Sequence, residues 1–463
     1  MTTAPLPEGF RFGVATAGFQ IEGGYNGPGQ PANNWAGWES AGRVERSGIA
    51  LDFWNDWEHQ LDRAVRAGCD AFRLSVEWAR CEPVDGQFDD DAFARYAAIL
   101  AGCAQRGLTP LVTLHHFTHP AWLGEEFWLQ PDAPERFAAW VGTAVDRLGT
   151  RCREWVTLNE INIYALQTWI TGDYPPGRRN DVAATVRTFD HMLSAHVLAY
   201  DTIVARQPDA IVSTNNFTFS IYELDRLLVD VVLARSHGVG RHDIHGWLRR
   251  RRAAFHRAVA PRTPRERLLR RICSSAIPLD QALPRAIAAV YASPNERCMS
   301  NVQIDWYDPV VSHHIVMPGR RTAGGRNWTP GRMLWDDPPD PLAMVRYAAA
   351  ESDDALDLWI VENGLCNRVV GTTSYPRRDG WDRPRYLHEH LHAVRRAVES
   401  GIPVTAYFHW TLADNYEWGS YEPRFGLYGI ERHGDKVVWS DHDSMGHDAA
   451  GTYRDLVAEL RGG

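Results

Sequence analysis

Lysine is almost missing from this 463-residue chain: Lys436 is the only one, and every other basic side chain is arginine. That bias fits the arginine codons of a GC-rich genome, and no function is read from it. Long apolar runs are missing as well. No stretch of eighteen apolar residues occurs, so no spanning helix and no membrane role are expected. The start, MTTAPLPEGF, has neither a basic n-region nor an apolar core, so no signal peptide is expected. No CxxC pair occurs. The seven cysteines (Cys69, Cys81, Cys103, Cys152, Cys273, Cys298 and Cys366) are odd in number and scattered, which reads as reduced thiols in a cytoplasmic protein. Positive charge is in deficit at a net −9, which weighs against a nucleic-acid partner. Internal repeats and low-complexity linkers are also lacking.

What is present is an ordinary globular composition, 44% hydrophobic and 23% charged, which argues against disorder. Tryptophan is heavily used, 19 against 16 each of tyrosine and phenylalanine, and suggests a site that stacks flat, polar-rimmed ligands. Eight β-rich runs alternate with helical stretches. They lie at 10–17, 71–78, 109–116, 154–160, 210–217, 302–307, 357–364 and 403–410. The run DDDAFARYAAILAGCAQRG before the third has aspartates suited to a helix start and Gly107 suited to its end. Eight strand–helix units imply a parallel sheet closed into a (β/α)8 TIM barrel, and one such domain can use residues 1–463 entirely. The stretch at about 235–300 differs. It carries RRRR at 249–252 and RERLLRR at 265–271, and reads as an amphipathic helical excursion rather than a partner or membrane contact.

Most strand candidates begin apolar and finish polar: His115-His116, Asn159-Glu160, Asn215-Asn216, Glu362-Asn363 and His409-Trp410. In a barrel the active site sits at the C-terminal mouth, so these ends are expected to converge on one cavity. Glu160 and Glu362 are the candidates for chemistry. Paired carboxyls across such a mouth are the minimum equipment for cleaving a glycosidic bond, one protonating the leaving oxygen and the other attacking the anomeric carbon or activating water. His115, His116 and His119 resemble a metal cluster in spacing, but no carboxylate or cysteine lies at ligand spacing, and no metal is expected there.

Several motifs stand in a fixed order: GFQIEG, RLSVEWAR, TLNE, VENG and WTLADNYEW. Together they resemble glycoside hydrolase family 1, the retaining β-glycosidases built on a (β/α)8 barrel. The resemblance covers nearly the whole chain, with 235–300 the least familiar part. It implies Glu160 as general acid/base and Glu362 as nucleophile. It implies Asn159 on the sugar's 2-hydroxyl, with Gln20, His116, Glu417 and Trp418 on the other hydroxyls and Trp410 under the ring. Arg73 and Tyr307 are expected to touch the nucleophile, and Trp335 the leaving group. No metal or organic cofactor is implied. The expected partner is a small-molecule glycoside, and homo-oligomerisation is left open.

The resemblance also bears on substrate. An anionic Glu417 would repel a phosphate, and the branch acting on 6-phosphosugars uses a lysine near this region, where none occurs. A non-phosphorylated sugar is expected, glucose first, then galactose or fucose. An intact Glu160, where the thioglucosidase branch has glutamine, favours an O-glycosidase. A transglycosylase with the same site is the alternative, and a non-catalytic sugar-binding barrel a remote one, since both glutamates are present. Three departures stand out. Asp305 replaces the family's asparagine, and would either raise the pKa of Glu160 or compete for Arg73. Phe117 stands where tryptophan is common, and NEIN replaces the commoner NEP.

Overall fold

The computed structural model describes residues 5–279, 281, 283–307, 339–353, 356–370, 373–434 and 436–462. Eight parallel strands form its centre. They are β1 (Arg11–Ala15), β2 (Ala71–Ser75), β3 (Thr109–Thr113), β4 (Glu154–Val156), β5 (Ile211–Ser213 continuing as Asn215–Phe217), β6 (Val302–Trp306), β7 (Leu358–Asn363) and β8 (Val404–Trp410). Each pairs with its neighbour in chain order, and β8 returns to β1 in register from Arg11 opposite Ala406 to Ala15 opposite Trp410. Runs such as LVT, LWIV and VTAYF are apolar without alternation, as strands covered on both faces require.

The fifth strand departs from the continuous run expected at 210–217. Its first half pairs with β4 and its second with β6, and Thr214 between them donates its hydroxyl to the carbonyl of Leu158 at 2.6 Å. The break lets one strand serve two neighbours and close the barrel.

Helices return the chain between strands, at Phe53–Arg66, Asp90–Gln105, Ala133–Leu148, Val182–Arg206, Pro284–Ala292, Pro341–Glu351 and Arg383–Glu399, and Ala449–Leu460 follows β8. Their starts are written in the sequence. Asp89, Asp181, Asp340, Asp382 and Asp448 each accept from a backbone N–H in the first turn. Gly107, at φ 72°, ends the second of these helices as its position suggests. Among the described residues, no helix is long and apolar enough to cross a membrane.

The basic segment between β5 and β6 forms the helices Ile244–Ala258 and Pro264–Ala276. Three of its arginines turn toward buried acids. Arg251 pairs with Asp230 at 3.0 Å, Arg252 with Glu223 at 3.3 Å and Arg270 with Glu266 at 3.0 Å. Much of the tryptophan excess serves packing: Trp35, Trp128, Trp140, Trp155, Trp169 and Trp306 are fully buried.

At Gly13 on β1, an added Cβ would stand 2.5 Å from the Phe408 ring and 2.8 Å from the carbonyl of Ala71. Gly13→Ala is expected to lower stability by about 1–3 kcal/mol through overpacking. A urea unfolding midpoint equal to that of the unaltered protein would refute that.

Candidate active site

The strand ends converge: four of the five polar pairs put one member on the opening, and neither Asn215 nor Asn216 lines it. His116, Glu160, Glu362 and Trp410 line a cleft at the C-terminal mouth, together with Phe117, Tyr307, Glu417 and Trp418. At three of these pairs the other member turns away, as the alternation of strand side chains dictates. His115 accepts from the Trp128 indole at 3.2 Å, Asn363 donates to the carbonyl of Trp306 at 2.8 Å, and His409 approaches the carbonyl of Phe425 at 3.3 Å. The three histidines near 115–119 therefore share no focus: His116 faces Asn159, and His119 meets the carbonyl of Gly124.

Arg73 on β2 is wholly buried and organises the floor. Its Nη1 donates to Glu362 Oε1 at 2.8 Å and to the carbonyl of Val361 at 3.3 Å, and its Nε to Thr113 Oγ1 at 3.1 Å. Its Nη2 donates to Asn159 Oδ1. The Tyr307 hydroxyl donates to the other oxygen of Glu362 at 2.9 Å. Both oxygens of Glu362 are thus held. Asn159 also accepts from Asn215 Nδ2 at 2.8 Å, and its own amide lies 3.2 Å from His116 Nε2.

One carboxylate oxygen from each of Glu160, Asp305 and Glu362 lies within 4.8 Å of those on the other two. Among the described residues, this is the grouping whose atoms come near enough together to surround an ion. Its counter-charge comes from the protein, through Arg73. Burial raises all three acids. Glu160 goes well above the carboxylate range, with the charges of Asp305 and then Glu362 adding to the effect of burial. Asp305 is likewise raised well above, by burial and then by Glu362. For Glu362, burial is opposed by Arg73 and by the Tyr307 hydroxyl, and the rise is smaller. Glu362 is therefore the first of the three to ionise.

At the other end of the cleft, the Trp410 indole donates to Glu417 Oε1 at 3.0 Å, and Gln20 donates to Asn415 at 3.1 Å. The His116 ring lies nearly parallel to Trp418, with centroids 5.7 Å apart, and to Trp410 at 5.9 Å. Burial, with Arg73 adding, pushes His116 far down, so it is a neutral imidazole. Burial pushes Glu417 up to about 8, against the bond from Trp410. Burial thus works against the fixed anion that the sequence suggests at Glu417. Gln20 Oε1, His116 Nδ1, Glu160 Oε1 and Asp305 Oδ1 are buried without a partner among the described residues.

Phe117, Glu160 and Trp418 hold left-handed backbone conformations, at φ 66°, 36° and 45°. Such geometry costs a non-glycine residue about 1–2 kcal/mol, and all three side chains reach the cleft. Trp335 lies outside the described residues. Ile163, Gln167, Tyr174, Phe217 and Phe425 also line the cleft and were not singled out from sequence. Phe217 ends β5 and was legible as a strand end. Tyr174 comes from the loop after β4, where no local pattern marks it.

The family model for glycosyl hydrolase family 1 matches residues 2–239 and 307–450. The unmatched interval contains the arginine-rich helices. A bifunctional β-D-glucosidase/β-D-fucosidase of Bifidobacterium breve is 27% identical, over 99% of both chains. β-Glucosidase A of Thermotoga maritima is 26% identical, over 95% of this chain and 96% of that one. A solved structure of the β-glucosidase from Thermotoga maritima in complex with noeuromycin superposes with a TM-score of 0.72 at 20% identity, covering 98% of this chain and 99% of the other. That last likeness supports the (β/α)8 fold. The chain belongs to glycosyl hydrolase family 1 and is an O-glycosyl hydrolase.

Proposed function

We propose that this enzyme hydrolyses a β-glucoside of a non-phosphorylated sugar, with retention, by double displacement. The observation that carries this reading is the spacing of Glu160 and Glu362, whose nearest carboxylate oxygens lie within 4.8 Å. Direct attack needs carboxyl groups roughly 5–5.5 Å apart, whereas an inverting site needs roughly 6.5–9.5 Å to admit a water.

The roles follow from the surroundings. Glu362 ionises first and is held on both oxygens, so it is the nucleophile. Glu160 keeps its proton and is the acid. In the first step its proton passes to the glycosidic oxygen as the C1–O bond breaks and Glu362 bonds to C1. In the second a water loses a proton to Glu160, its oxygen bonds to C1, and the ester to Glu362 breaks. Arg73 and Tyr307 orient Glu362, and Asn159 is placed for the 2-hydroxyl. A sugar's hydroxyls would satisfy the open atoms of Gln20 and His116. Glu417 would take two hydroxyls beside the Trp410 and Trp418 faces.

The preference for an unphosphorylated sugar rests on the missing cation rather than on a repelling anion. Among the described residues lining the cleft there is no lysine or arginine, and Arg73 beneath it is committed to Glu362. Glucose is placed first because relatives across bacteria and plants are named as β-glucosidases, and fucose is tolerated by the Bifidobacterium breve relative as named. A cytoplasmic location fits seven cysteines that are all free, six of them buried.

Proton NMR of 4-nitrophenyl β-D-glucoside turnover should show β-glucose as the first sugar released. α-Glucose appearing first would sink double displacement. Glu362→Ala is expected to reduce kcat by at least about a thousandfold, and full activity would remove it as nucleophile. Glu160→Ala should lose little on the activated aryl glycoside and about 100–10,000-fold on an alkyl glycoside. An equal loss on both substrates would count against the acid role. The pH profile of kcat/KM should be bell-shaped. Activity should rise as Glu362 ionises, above the ordinary glutamate value because that group is raised. It should fall as Glu160 deprotonates at still higher pH.

A further inference from the structure

The third carboxyl in the barrel floor has no part in the scheme above. Asp305 lies on β6, wholly buried, opposite Glu362 on β7 in the strand register. Sequence left two outcomes open for it, and the contacts decide between them. No ion pair joins Asp305 to Arg73 among the described residues. The guanidinium is committed to Glu362, Val361, Thr113 and Asn159. Asp305 instead takes a hydrogen bond on Oδ2 from Asn215, the amide that also bonds Asn159. Its other oxygen, Oδ1, is buried and open, and so is Oε1 of Glu160. Oxygens of the two carboxyls lie within 4.8 Å of each other in a buried site, near enough to interact through a hydrogen bond, with neither ion-paired to a cation among the described residues. Such a pair cannot hold two charges and relieves the repulsion by keeping a proton. The Asn215 donor on Oδ2 favours the charge on Asp305, which places the proton with Glu160.

We propose that Glu160 and Asp305 form a carboxyl–carboxylate pair sharing one proton, and that Asp305 is a positioning residue that keeps Glu160 in its acid form. This rests on Glu160 being the acid/base of the proposed hydrolysis. In a site with two acids, Glu160 loses its charged neighbour when Glu362 becomes an ester. Here the charge on Asp305 persists through that step. The pair gives its proton to the glycosidic oxygen in the first step and regains one from water in the second, so the count closes over the cycle. The other groups facing the pair are Arg73 from β2, Tyr174 from the loop after β4, and Tyr307 and Glu362 from the ends of β6 and β7. Arg73 alone among them lowers the proton affinity of Glu160.

The test compares the unaltered enzyme with Asp305→Asn, which preserves side-chain shape. The alkaline limb of kcat/KM on octyl β-D-glucoside should move down by about one pH unit or more, while activity on the acid side of the profile survives. A second readout needs no turnover. With aspartate and glutamate carboxyl carbons labelled with carbon-13, the Glu160 resonance should titrate lower by a similar amount in Asp305→Asn. In Glu160→Met, which leaves Asp305 in place but offers it no proton, the Asp305 resonance should titrate higher, since the hydrogen bond with Glu160 holds it down. Unmoved resonances in both variants would overturn the pair, even if Asp305→Asn lost activity. Glycosidase activity with an unmoved limb and unmoved resonances would leave the hydrolase reading intact and remove the pair. Shifted resonances in an enzyme that releases no sugar from any β-glycoside would keep the pair and remove the hydrolase reading.

Discussion

One buried cation balances the barrel floor. Arg73 reaches across the bore from β2, and its bonds gather Thr113, Asn159, Val361 and Glu362 around a single guanidinium. Three acids crowd the same few ångströms. Without that charge the site would hold more protons, and no acid would ionise readily. Removing one partner of a buried pair costs about 3–5 kcal/mol, because the survivor is left uncompensated. The planar fork matters as much as the charge. It sets the angle of Glu362 and, through Asn159, the amide of Asn215 that ends on Asp305. A lysine has three donors on one flexible point and could not span these directions.

Much of this was legible before any fold was known. The eight apolar runs give the eight strands, and their polar ends mark the mouth, because parallel barrel strands expose their C-terminal ends there. Glu160, Glu362, Arg73 and Asn159 fall in short motifs, and Tyr307 and His116 at the ends of β-rich runs, which the fold brings together. Other features needed three dimensions. A strand end was read as a pair of candidates, yet alternation sends His115, Asn363 and His409 away from the opening. The break at Thr214 leaves no mark in a run that reads as one strand. Tyr174 reaches the cleft from a loop, where no periodicity points to it. The upward push on the Glu417 carboxyl comes from burial, which no motif encodes.

The arginine-rich stretch shows the same limit from the other side. Its charge runs read as an amphipathic helical excursion, with a partner or membrane-surface contact as the alternative. The fold turns several of these arginines inward onto Asp230, Glu223 and Glu266, three acids that are themselves buried. Those acids lie in the same connection between β5 and β6 or at its start. Part of the excursion's charge thus serves internal fastening.

The left-handed residues of the cleft set a boundary on how this protein can change. Glycine at Phe117, Glu160 or Trp418 would relax the backbone, and would also delete a side chain that meets the ligand. Heat tolerance and turnover are therefore opposed at these three positions. Selection for a hotter environment has to act elsewhere, on helix caps, loops and outer faces. The mouth would be the part of the chain that changes most slowly, for mechanical reasons as well as chemical ones.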